Sequence, residues 1–176
     1  MKKQTTMRPA AWLCALLTML CLLGCQKESP ARYFSYLDAP ARATLTGKVS
    51  GVSFAAILYS EGREEGSMEY MSNACLTFTA PDALAGVSVR YRAETGDWSI
   101  SLDDLAGEGD AAGLGTIASM LLCEQAITSS TRGQNTIALT LLDGTVLTLD
   151  EATGKPIGAT RSTGGRVIEI TVVRWE

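Results

Sequence analysis

The 176-residue chain contains no histidine. That absence removes Ser-His-Asp and Cys-His nucleophile arrangements, and with them every imidazole metal ligand. Lysine is almost as scarce. Beyond residue 24 only Lys27, Lys48 and Lys155 remain, and none has a serine three positions before it. The Ser-x-x-Lys nucleophile motif is therefore missing as well. Without any basic run the chain has no electrostatic footprint for nucleic acid and no polybasic patch for anionic lipid headgroups. No apolar run reaches the roughly 20 residues that cross a bilayer core as a helix.

What is present begins with Met1 to Arg8, which carries Lys2, Lys3 and Arg8 and no acid. Pro9 to Gly24 follows, rich in Ala, Leu, Met and Cys. A basic start, a short apolar middle and a small residue at the end describe a secretory signal peptide, expected over 1–24. A buried core helix is the plain alternative, but the stretch has no polar face. Leu22-Leu23-Gly24-Cys25 resembles the lipobox of bacterial lipoproteins. The resemblance implies a diacylglycerol on Cys25, cleavage before it, and an extracytoplasmic protein anchored to a membrane. Gln26, which is not Asp, resembles the pattern for release to the outer membrane in two-membrane bacteria. Each buried CH₂ contributes about 0.8 kcal/mol, so two or three acyl chains hold firmly where one does not.

Three of the 15 basic residues fall within 1–24 and none of the 19 acids do. Twelve bases against nineteen acids leave a net charge of −7, so membrane association must come from the anchor. Residues 25–36 are expected as lipidated N-terminus and short linker, with one domain over 37–176. Cys75 and Cys123 sit among apolar neighbours. An exported location permits a disulfide, but buried free thiols are the commoner arrangement.

From Ala41 onward the dominant period is two, the mark of half-buried antiparallel strands. It runs through 52–59, 75–79, 87–92, 98–102, 136–142 and 145–149. Asp143-Gly144 between the last two is a hairpin signal. Arg166 to Trp175 has apolar residues on both faces and is expected mid-sheet. Leu114, Ile117, Ala118, Leu121, Leu122 and Gln125 fall instead at helical spacing. They define a helix expected over Asp110 to Thr128, with Asp110 as its cap. The fold expected is α+β, mainly β: a curved antiparallel sheet, an open half-barrel of about eight strands, covered by one main helix.

Several patterns compete with purely structural readings. Asp103-Asp104, Glu64-Glu65 and Asp150-Glu151 are carboxylate pairs of the type glycoside hydrolysis uses, but they lie where solvated turns are the default. Gly107 to Ala112 matches G-x-G-x-x-A, yet Glu108 and Asp110 would aim negative charge at a pyrophosphate. Met68, Tyr70 and Met71 could form a soft apolar lining, but such a group is more often simply core. No catalytic residue, cofactor or metal is expected.

Three segments resemble the lipoprotein-carrier superfamily, the LolA-like and LppX-like proteins. They are Ala39 to Gly47 followed by a strand from Val52; Leu76 to Gly86, a strand ending in Pro81 and a short turn; and Leu149 to Ile157, similar to a D-x-x-T-G-x-P hairpin. The resemblance implies a curved sheet with a helical lid over an apolar cavity for acyl chains. Leu114, Ile117 and Leu121 would line that lid. It implies a non-catalytic lipid-binding role, with membrane and lipid as partners. A solid-core lipoprotein that binds an envelope protein is the second expectation, and the chain's own anchor departs from soluble carriers.

Overall fold

The computed structural model describes residues 30–63, 71–103, 105–108 and 113–176. The element order is a 3-10 helix (Pro30–Leu37), β1 (Ala41–Val49), β2 (Val52–Ser60), β3 (Ala74–Ala80), β4 (Ser88–Arg92), β5 (Asp97–Leu102) and β6 (Leu105–Glu108). Then come α1 (Gly115–Leu122), β7 (Ile127–Arg132), β8 (Thr136–Leu141), β9 (Val146–Asp150), β10 (Pro156–Thr163) and β11 (Arg166–Trp175). All eleven strands form one sheet in the order β6-β5-β4-β3-β2-β1-β11-β10-β9-β8-β7. Each neighbouring pair is antiparallel.

The expected half-barrel of about eight strands under one main helix is therefore corrected. Among the described residues there are eleven strands, and the helix has eight residues rather than spanning Asp110 to Thr128. Two physical reasons account for the difference. Ile127–Arg132 (ITSSTR) and Leu105–Glu108 (LAGE) have no apolar alternation, because they are the two sheet edges and are largely exposed. The helical period continues to Gln125, but the backbone turns extended at Cys123 and so ends the helix. The proposed cap Asp110 lies outside the described residues, and α1 starts after Leu114 without a side-chain cap.

The topology is two meanders, β1–β6 and β7–β11, which meet where β1 pairs with β11. A helix of eight residues is about 12 Å long. It contacts β3 and β4 on one side and β10 on the other. On a flat sheet β4 and β10 would lie about 24 Å apart, so the sheet must curve around the helix.

Local chemistry sets the register. Ser50 and Gly51 both have positive φ, as a tight β1–β2 hairpin turn demands. The Asp143-Gly144 hairpin forms as expected, with Leu141 N–H donating to Thr145 O at 2.8 Å. At the next turn Asp150 Oδ1 accepts from Thr153 N (2.8 Å) and Thr153 Oγ1 (2.7 Å), which gives the D-x-x-T-G-x-P pattern its mechanism. These bonds hold the Asp150 carboxyl below its usual range.

β11 sits mid-sheet as expected. A bulge opposite Thr44/Leu45 shifts its register, however. Trp175 therefore falls on the same face as Val172, where its ring meets Tyr36 edge-on at 5.4 Å. The 3-10 helix also buries Phe34, Tyr36 and Leu37 in the core, so the folded unit begins before residue 37.

Candidate functional site

The space between helix and sheet decides what the molecule is able to hold. Ile117, Ala118, Met120, Leu121 and Leu122 are all at most 2 % exposed. They pack on Leu45, Leu58, Leu76, Phe78, Leu139 and Leu147, which are equally buried. Side chains with no accessible surface border no void that admits a water-sized probe. Among the described residues this interior is packed with buried apolar side chains.

Of the residues expected to line a lid, Ile117 and Leu121 project into this core, and Leu114 is half-buried at the helix start. Tyr36 Oη donates to Leu121 O at 2.7 Å and satisfies a carbonyl in the last helical turn. Burial drives the Tyr36 phenol far above its ordinary range, against the opposing pull of Arg63.

Two polar ties fix the segment that leaves the helix. Arg63 binds Glu124 and also Asp38 (2.6 Å), and its backbone N–H donates to Leu37 O at 2.9 Å. One residue later, Gln125 Nε2 donates to Asp143 Oδ2 at 3.0 Å. Arg161 Nη1 pairs with the same oxygen at 2.9 Å, and Thr145 N–H donates to Asp143 Oδ1 at 2.9 Å. Burial alone would raise the Asp143 pKa; the Gln125 amide, Thr145 and the Arg161 guanidinium override it and hold the carboxyl below its usual range. Glu124 thus ties the helix exit to the first meander, and Gln125 ties it to the second.

The remaining candidates resolve into structure. Cys75 and Cys123 are free thiols, each half-buried. Burial pushes the Cys123 thiol up, with Asp143 and Glu124 adding to it against the Gln125 side chain, so it stays protonated and a poor nucleophile. Asp103 sits in a turn with φ +49°, and Glu151 lies 4.0 Å from Arg132. Gly107 and Glu108 belong to edge strand β6, not to a loop that opens a helix. Met71 is buried core. Cys25, Glu64, Glu65, Met68, Tyr70 and Asp104 lie outside the described residues. Among the described residues no group of three His, Cys, Asp or Glu side chains could hold a metal.

The opposite face of the sheet is open and mixes hydroxyl side chains with the exposed Tyr59 and Val167. Thr44, Thr46, Thr77, Ser88, Thr160 and Thr171 alternate with buried residues along their strands, and Ser99 and Ser101 alternate with the half-buried Trp98 and Ile100. One open depression of about 450 Å³ there is lined by Tyr59, Glu61, Asn73, Cys75, Arg90 and Arg92. The hydroxyl period is the complement of the core period and was legible in the sequence. The polar ties at Arg63, Gln125 and Arg161 were not, because they join residues far apart in the chain.

No family model and no curated protein matches the chain. Solved structures do match. MucB aligns over 86 % of this chain and 59 % of its own, with 15 % identity and a TM-score of 0.51. The chain shares the MucB fold. It spans somewhat under two thirds of the MucB structure. Lower in similarity are an uncharacterized conserved protein from Thermus thermophilus and a putative outer membrane lipoprotein-sorting protein domain from Vibrio parahaemolyticus. The first has 16 % identity, coverage of 83 % of each chain and a TM-score of 0.49. The second has 11 % identity, coverage of 84 % and 90 %, and a TM-score of 0.45.

Proposed function

We propose that this chain is an extracytoplasmic protein, anchored to a membrane through acyl groups on Cys25, which acts by binding a partner protein and carries out no catalysis. The observation that carries the reading is the packed interior: helix residues with no exposed surface leave no room beside them for an acyl chain. The function therefore belongs on the outside of the fold. The MucB likeness supports the same direction, since MucB is known in complex with MucA(peri) and from Pseudomonas aeruginosa as a MucA/MucB complex.

Cross-linking of the full chain in its own membranes, followed by mass spectrometry, tests the partner. A stoichiometric protein adduct is expected. Native mass spectrometry of the chain from the same membranes is the counter-test: a retained, non-covalent acyl ligand would sink the partner reading. It would restore Leu114, Ile117 and Leu121 as a lid lining. The anchor is tested separately. Cys25→Ala should release the protein from the membrane fraction, and retention of that variant would refute the attachment point.

A further inference from the structure

The fold begins very close to the proposed anchor. Pro30 already belongs to the 3-10 helix, and that helix is fixed to the core. Phe34 and Leu37 are buried, and Tyr36 Oη donates to Leu121 O at 2.7 Å. Arg63 donates to Phe34 O from its side chain at 3.4 Å and to Leu37 O from its backbone at 2.9 Å. Only Gln26, Lys27, Glu28 and Ser29 separate Cys25 from Pro30. Fully extended, that length of chain reaches about 18 Å.

The 3-10 helix lies at one end of the central strands. Tyr36 meets Trp175 edge-on at 5.4 Å, and Trp175 is the last residue of β11, across from Ala43 near the start of β1. Arg42 and Glu176 exchange backbone hydrogen bonds of 3.1 and 2.9 Å. Tyr59, next to last in β2, is the cross-strand neighbour of Arg42. Pro30 is one helical turn before Phe34, about 8 Å away along a 3-10 helix, so the tether joins the fold at this end. The β1–β2 turn at Ser50-Gly51 marks the other end. The nine residues of β1 set it about 30 Å off.

We propose, resting on the acyl anchor at Cys25, that the strand end carrying Tyr59 and Trp175 faces the lipid surface, and that the domain stands with Ser50-Gly51 pointing away from it. With Ser50-Gly51 on the lipid instead, the helix end of the sheet would ride about 30 Å up, beyond the roughly 18 Å that the tether spans. The residues at this end suit a bilayer interface. Tyr59 is exposed, and Tyr33 and Trp175 are half-buried; tyrosine and tryptophan rings settle at the level of the headgroups. Arg42 and Arg174 are balanced there by Glu61 and Glu176, the last of which pairs with Arg174. The tether, not an excess of charge, therefore holds this end down, and phosphatidylcholine alone is surface enough. Val52 and Val167, beside the Ser50-Gly51 turn, stay in water.

The test uses the full chain, acylated by its host and reconstituted in phosphatidylcholine vesicles, with its intact mass reporting the acyl groups. The reference is the same chain with about 12 Gly and Ser residues inserted after Ser29, which keeps the anchor and adds up to about 40 Å of reach. Hydroxyl-radical footprinting then reads side-chain exposure. Tyr59 and Val173 should be oxidised several-fold more slowly in the parent than in the extended chain, while Val52 and Val167 react alike in both. Equal rates at Tyr59 and Val173, or slower oxidation of Val52 and Val167 in the parent, would overturn the orientation and leave the anchor standing. A parent chain whose mass shows no acyl group would overturn both.

Discussion

Tyr36→Phe isolates one buried hydrogen bond and makes a signed prediction over pH. The substitution keeps the ring, its edge-on contact with Trp175 at 5.4 Å and its place in the core. It removes only the hydroxyl that donates to Leu121 O at 2.7 Å. A buried carbonyl left without its donor costs about 1–3 kcal/mol; taking about 1.5 kcal/mol, a domain of this size should melt about 3–6 °C lower.

The pH dependence follows from linkage. Burial raises the folded-state pKa of Tyr36 well above the unfolded value, which is about 10. Below pH 10 both states hold the proton and stability is flat in this group. Above it the unfolded chain releases the proton and the folded chain does not, so the parent loses about 1.4 kcal/mol per pH unit. Tyr36→Phe lacks that loss. Urea unfolding at pH 7, 9, 10 and 11 should therefore show a gap of about 1.5 kcal/mol that is constant to pH 9 and closes near pH 11. Every other side chain is common to both proteins, so its contribution cancels in the difference. A gap that stays constant to pH 11, or no gap at pH 7, would refute the buried-donor argument.

Two further substitutions test the core and the helix tie. Leu121→Ala, at a fully buried site, should cost about 3 kcal/mol, whereas Leu142→Ala, 73 % exposed, should stay within about 0.5 kcal/mol; both are read by urea midpoints. Asp143→Asn should flatten the acid limb of stability. The depressed folded pKa of Asp143 contributes stability that is complete above the unfolded value of about 3.9 and is lost as pH falls through the folded one. Acid unfolding of parent and variant should converge at the lowest pH, and parallel curves would count against the tie.

Period-two stretches disclosed the interior strands because their burial alternates as their sequence does; β8 (TIALTL) and β9 (VLTLD) are the clearest cases. The edge strands stayed hidden for the converse reason. β7 buries neither face, so nothing in its sequence needed to alternate. The helix was found but overextended, since apolar periodicity records which residues face the core and not where the backbone stops being helical. Trp175 illustrates the limit most plainly: its parity placed it opposite Ile168, and one bulge, invisible in composition, brought it to the face shared with Val172. The resemblance conveyed a sheet and helix but also a cavity, and cavities depend on packing that turn motifs do not encode. Arg63 carries no sequence signal for its role, because Asp38 and Glu124 lie 25 and 61 residues away.

The packed helix also bears on whether an acyl chain could open the fold. Exposing Ile117, Met120, Leu121 and Leu122 together would cost about 6–12 kcal/mol at about 1.5–3 kcal/mol for each side chain, before either polar tie is broken. An acyl chain entering from water would recover about 0.8 kcal/mol per CH₂, comparable in size. One drawn from a bilayer is already in hydrocarbon and recovers almost none of it. For a domain tethered as proposed above the bilayer is the relevant source, and the balance lies against helix displacement. A partner protein bound on the outside of the fold leaves the core closed and exposes nothing. Hydrogen exchange at the α1 amides, measured with and without phospholipid vesicles, separates the two cases. Unchanged protection is expected, and a loss of protection on adding vesicles would show that the helix moves after all.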